Sequence, residues 1–120
     1  MADIRSFNIG SLNCQGLMKK FELPEFIDEV VGHYVFGVSE TWLEKIDEEK
    51  ISIPDYKFYP ICRKKEKGPT RGGVGVFVSE EKRKGIKILY DISNEYCLWC
   101  RLDSKFFNIS DDIYLSLIHI

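Results

Sequence analysis

A change of hydrophobic period between Ser6 and Ser39 constrains this chain more than any other feature. The segment SFNIGSLN alternates apolar and polar side chains, which predicts a strand running into Cys14-Gln15-Gly16, where glycine signals a turn. Then the spacing becomes helical: Leu23, Phe26, Ile27, Val30 and Val31 share one face, Pro24 suits a first helical turn and Gly32 a stop. Tyr34 to Ser39 is short, apolar and rich in strand formers, as a strand buried on both faces must be. Strand, helix and strand in that order make a right-handed crossover between parallel strands, which brings the strand ends Asn13 and Glu40 to one sheet edge. Ligands of open α/β sheets collect there.

Further strands are predicted at Tyr56–Tyr59, Val74–Val78, Ile86–Tyr90, Tyr96–Leu102 and Ile113–Ile120, the last three at a rhythm typical of consecutive antiparallel strands. No repeat, linker or low-complexity tract interrupts them. A hydrophobic content of 44% over 120 residues gives enough apolar surface for one modest domain and argues against disorder. No run reaches the ~20 apolar residues of a membrane helix, and MADIRSFNIG lacks a secretory core; an intracellular protein, nuclear or cytoplasmic, is expected. The net charge of -2 makes no global case for nucleic-acid binding. The charges are nevertheless segregated: Glu40, Glu44, Asp47, Glu48 and Glu49 are followed by basic Arg63, Lys64, Lys65, Lys67 and Arg71, then by Lys82, Arg83, Lys84 and Lys87. Solvated loops are the plain reading of each cluster.

Cys97 and Cys100 have a spacing known from metal motifs, but on a strand, positions three apart point to opposite faces. Reduced, buried thiols are expected for these two and for Cys14 and Cys62. Trp42 and Trp99 read as core or rim packing, and His33 as a cation at a helix end. The Arg71-Gly72-Gly73-Val74-Gly75 run lacks a following Gly-Lys-Ser/Thr and continues as a strand, so its glycines read as aids to tight strand packing.

The segments SLNCQGL, VSETWL and RGGVGVFVS, in this order and spacing, resemble the opening motifs of the endonuclease/exonuclease/phosphatase superfamily, with the flavour of the endonucleases of non-LTR (LINE-type) retrotransposons. The resemblance runs from Phe7 through nearly the whole chain. It implies the N-terminal part of a four-layer α/β sandwich, two mixed β-sheets flanked by helices, with residues 1–120 forming a partial domain. By the same resemblance Glu40 binds a divalent cation, Mg²⁺ or Mn²⁺, and Asn13 positions the metal or the scissile phosphate. Gln15 stands where several relatives carry an acidic residue or Asn, and so reaches the metal through water. Arg63, Lys64, Lys65, Lys67 and Arg71 become contacts to a DNA backbone.

The implied activity is phosphodiester hydrolysis in DNA, with a reverse transcriptase domain following in the same chain of a full-length element. A phosphatase or lipid phosphodiesterase is the rival within the fold. A catalytically inactive remnant or binding fragment is the rival outside it, since the superfamily's later Asp-x-Asn and Ser-Asp-His are missing here. The ending Leu115-Ser116-Leu117-Ile118-His119-Ile120 places His119 where relatives carry a Tyr, but it also reads as a translated library adapter, and His119 is assigned no role. Half of a two-sheet sandwich is expected to leave a packing face bare, and so to be weakly stable and prone to self-association.

Overall fold

The computed structural model describes residues 8–62 and 72–118. β1 (Ile9–Asn13) leads through two short helices, α1 (Leu17–Lys20) and α2 (Pro24–Val31), into β2 (Val35–Ser39). β3 (Tyr56–Ile61), β4 (Val74–Ser79), β5 (Ile86–Ile88) and β6 (Cys97–Leu102) follow, then α3 (Ser104–Phe107) and β7 (Ile113–Ile118). One sheet has the order β1-β2-β4-β3, with β1 and β2 parallel and the other pairs antiparallel. The second, β5-β6-β7, is antiparallel throughout.

The two sheets form an α/β sandwich, and side-chain parity explains why they stack. Val35 of β2 and Val74, Val76 and Val78 of β4 face the second sheet, where they meet Ile86, Ile88, Leu98, Cys100 and Leu102. Phe36, Val38 and Phe77 point the other way, onto Phe26 and Val30 of α2 and onto Leu43, Ile51 and Ile53. Strands covered on both faces need apolar residues at every position, and β2 and β4 are buried along their whole lengths. The chain carries both sheets and they pack on each other over β2 and β4, whereas β1 stays uncovered, with Ile9 47% and Leu12 39% exposed. Gly75 makes room on β4: a Cβ there would stand 2.7 Å from the Phe58 ring, which stacks on Phe77 at 4.4 Å.

α2 begins with Pro24 in its first turn and ends at Gly32, as its sequence predicts. At two turns it presents one narrow row to the sheet, so Leu23 and Val31 remain about half exposed instead of joining Phe26 and Val30. His33 closes the helix end, where its Nδ1 donates to the Glu29 carbonyl at 2.7 Å, one of the oxygens left open by the last turn.

Several short elements, α1 among them, were not evident from the sequence. The acidic stretch is a 3₁₀ turn, Lys45–Lys50, held by a capping box in which Glu44 N donates to Asp47 Oδ2 at 3.2 Å. α3 is capped by Asp103, whose carboxylate accepts from Phe106 N at 2.9 Å, and it drives Phe107 into the space between the sheets. Among the described residues, no helix is long and apolar enough to cross a membrane.

All four thiols are free, and Cys97 and Cys100 lie on opposite faces of β6, as strand geometry requires. Cys14 and Cys100 are buried, whereas Cys62 and Cys97 are half-buried. Burial pushes the Cys14 thiol up to about 12 from an ordinary 9.0, against a small opposing pull from Lys20. The neutral thiol is thus favoured in the folded state. Its contribution to stability is complete below pH 9 and is lost as the pH rises toward 12. Melting temperature should accordingly fall along an alkaline limb, and Cys14→Ala should make that limb shallower; an unchanged slope would exclude Cys14 as a source.

Candidate functional site

The parallel pairing of β1 with β2 sets Asn13 beside Ser39, so Asn13 and Glu40 end neighbouring strands at one edge of the first sheet. The segments after them are joined by backbone hydrogen bonds. Cys14 N donates to Ser39 O at 2.8 Å, Gly16 N to Glu40 O at 2.9 Å and Leu17 N to Thr41 O at 2.9 Å. On the other side, Trp42 N donates to Gly72 O at 3.0 Å and Thr41 N to Gly73 O at 3.4 Å. The loop carrying Glu40 is therefore clamped between the turn after β1 and the residues that open β4, and the three sequence motifs meet in one place.

The backbone in this clamp is unusual. Gln15, Glu40 and Trp42 all have positive φ, at 49°, 48° and 54°. Side chains rarely tolerate that region, and each such residue costs roughly 1–3 kcal/mol unless its surroundings hold it. Here the holding groups are the bonds just named, together with the packing of Trp42. Gly16, at φ 106°, lies under the Trp42 ring, and a Cβ there would stand 3.0 Å from Cε3. Residues in strained geometry that is over-determined in this way are characteristic of functional loops.

Glu40 is half-exposed at the edge, with Asn13 and Gln15 exposed beside it in sequence and in the fold. Thr41 was not singled out from the sequence, yet its side chain is 1% exposed and Oγ1 has no hydrogen-bond partner among the described residues. A hydroxyl immediately after a strand-ending carboxylate was the available signal. Buried hydroxyls ordinarily find a partner, so Thr41, next to Glu40 in the chain, is an exception. Arg63, Lys64, Lys65, Lys67 and Arg71 lie outside the described residues.

The donor set is oxygen-rich and sparse: one carboxylate from Glu40, with amide oxygens from Asn13 and Gln15 nearby in the fold. No group of three His, Cys, Asp or Glu side chains converges among the described residues. Oxygen donors of this kind are those that a hard cation prefers. No protein-family model matches the chain, and no curated protein matches its sequence.

Proposed function

We propose that this chain provides the N-terminal, metal-holding part of a Mg²⁺- or Mn²⁺-dependent phosphodiesterase of the endonuclease/exonuclease/phosphatase type, with DNA as its substrate class. The observation that carries this reading is the convergence of SLNCQGL, VSETWL and the Gly72-Gly73 end of RGGVGVFVS around Glu40. Glu40 would hold the cation, Asn13 would orient a phosphate oxygen, and Gln15 would act through a water. When bound, the cation offsets negative charge developing on the phosphoryl oxygens and the leaving group. The clamp fixes the Glu40 backbone in advance, so little ordering is left to be done when metal and phosphate arrive. The basic residues from Arg63 to Arg71 would contact the DNA backbone, which makes binding salt-sensitive. The retroelement reading extends to an intracellular setting, nuclear or cytoplasmic, and to a reverse transcriptase domain in the same polypeptide.

Hydrolysis also needs a group that takes a proton from the attacking water, within hydrogen-bond reach of it. The superfamily's later Asp-x-Asn and Ser-Asp-His, which would supply one by the resemblance, do not occur in these 120 residues. This favours binding without turnover by the 120-residue chain. Titration with Mg²⁺, followed by NMR, should shift the amides of Asn13, Gln15, Gly16, Glu40 and Thr41, and Glu40→Ala should abolish the response while leaving the remaining spectrum intact. Shifts that survive Glu40→Ala would remove Glu40 from the site. In a supercoiled-plasmid assay with Mg²⁺ no nicking is expected; nicking that depends on Glu40 would overturn the binding-only reading.

A further inference from the structure

Lys87 of β5 and Arg101 of β6 stand directly opposite each other in the antiparallel ladder of the second sheet. Like charges in that relation destabilise a strand pair. The carboxylates nearby give little relief. Asp112 approaches Arg101 Nε only to 4.0 Å, too far for a hydrogen bond, while its Oδ1 accepts from Ser104 N at 2.7 Å. The Asp112 carboxyl is accordingly held below its ordinary value first by hydrogen bonding to Ser104, with Arg101 contributing least. Asp103 is engaged in the same way, accepting from Phe106 N at 2.9 Å. Arg101 Nε is buried and has no hydrogen-bond partner among the described residues, although a buried donor ordinarily has an acceptor.

The same pair lines a cavity of about 460 Å³ at the β5 edge, together with Lys84, Asp103, Tyr59 of β3 and Tyr90. Neither Lys84 nor Lys87 makes an ion pair among the described residues, whereas Arg83 is taken up by Glu80 at 2.9 Å. Burial raises the Tyr90 phenol above its ordinary value, with Tyr59 and Glu48 adding to the shift, so it remains an O–H donor at neutral pH. Three cations and two phenols thus surround one carboxylate that already has a partner. The cavity is also separate from the Glu40 clamp: β4 runs from Val74, beside Ser39, to Ser79 at the opposite end of the sheet, and the turn carrying Lys84 follows from there.

We propose that this cavity binds a phosphate group, with Lys87 and Arg101 sharing its oxygens and Lys84 and the two tyrosines as further donors. Hydrogen bonds between a guanidinium or ammonium and an anionic oxygen are the strong ones. A dianion seated between Lys87 and Arg101 also removes their repulsion, so binding and the pairing of β5 with β6 reinforce each other. A nucleic-acid strand and a free phosphate present the same oxygens, and titration with each separates them.

No divalent cation takes part, so the measurement is made in EDTA and its outcome is independent of the role of Glu40. Inorganic phosphate should move the NMR signals of Arg101 Nε–H and of the amides of residues 84–88 and 100–102 in a saturable way, and should raise the melting temperature. Lys87→Gln, at an exposed position, should weaken this binding roughly tenfold to a hundredfold, the scale of one lost charge-assisted hydrogen bond. Lys87→Glu sets a carboxylate opposite Arg101, so it should abolish binding and yet melt above the parent in phosphate-free buffer. If oligothymidylate moves the same signals, the ligand is the phosphodiester of a strand; if inorganic phosphate alone does, it is a free phosphate or phosphomonoester. A response that sodium chloride reproduces at equal ionic strength overturns the proposal, as does no response to either phosphate source. Lys87→Gln binding as the parent does, or Lys87→Glu melting below the parent, overturns it equally.

Discussion

Phe77→Ala should lower the free energy of unfolding by about 3–5 kcal/mol, the range for deleting a buried aromatic side chain. Phe77 is fully buried on β4, a strand hydrogen-bonded on both sides and therefore unable to collapse into the space left. Its ring stacks on Phe58 at 4.4 Å and meets Phe26 of α2 edge-on at 6.4 Å, so one truncation loosens the helix layer and the β3 edge together. Against a total of about 5–15 kcal/mol for an ordinary domain, the loss leaves a large unfolded population. Urea titration of the parent, Phe77→Leu and Phe77→Ala should give midpoints falling in that order. A loss under about 1 kcal/mol for Phe77→Ala would mean that the core is not packed as described.

Gly16→Val should abolish the Mg²⁺ response as completely as Glu40→Ala, although Gly16 has no chemistry of its own. At φ 106° and ψ 94° a β-branched residue is strained by roughly 1–3 kcal/mol. Its side chain would also meet the Trp42 ring, which already stands 3.0 Å from where a Cβ would lie. The ring has to move, and with it the loop that fixes Glu40, because Gly16 N and Leu17 N hold the Glu40 and Thr41 carbonyls. NMR should show the β4 and β6 amides unmoved while those of residues 13–17 and 40–42 shift and no longer respond to Mg²⁺. Retention of the response would show that Glu40 is held by something other than this clamp.

The framework of the fold was legible where burial and hydrogen bonding leave one choice of residue. β2 and β4 could be read because strands covered on both faces must be apolar throughout, and α2 because Pro24 and Gly32 bracket it. The proximity of Asn13 and Glu40 followed from the crossover alone, and the Asn13–Ser39 register agrees. What could not be read was decided by short-range detail. α3 has four residues, too few for a period to show, and rests on one capping carboxylate at Asp103. The charged side chains of Lys45–Lys50 suit any solvated loop, and only the bond from Glu44 N to Asp47 shapes the turn. Leu23 and Val31 share the apolar character of Phe26 and Val30, and only the brevity of α2 leaves them outside. At the site, residue types were visible but backbone signs were not: nothing in Gln15, Glu40 or Trp42 announces a positive φ, which is imposed by their neighbours.

The strand order β1-β2-β4-β3 also sets a schedule for synthesis. β3 leaves the ribosome before β4, yet its place in the sheet is on the far side of β4, so it has no partner until Ser79 has emerged. β2 waits too, with Val35 and Val38 uncovered on its two faces. At ~5–20 residues per second this interval lasts long enough for unwanted pairing. Highly charged residues are made during the wait, from Glu44 to Lys50 and from Arg63 to Lys67. Charges flanking hydrophobic strands act as gatekeepers against aggregation, and here they appear at the moment they are needed. The second sheet requires no such guard, since β5, β6 and β7 each find their neighbour in the order in which they are made.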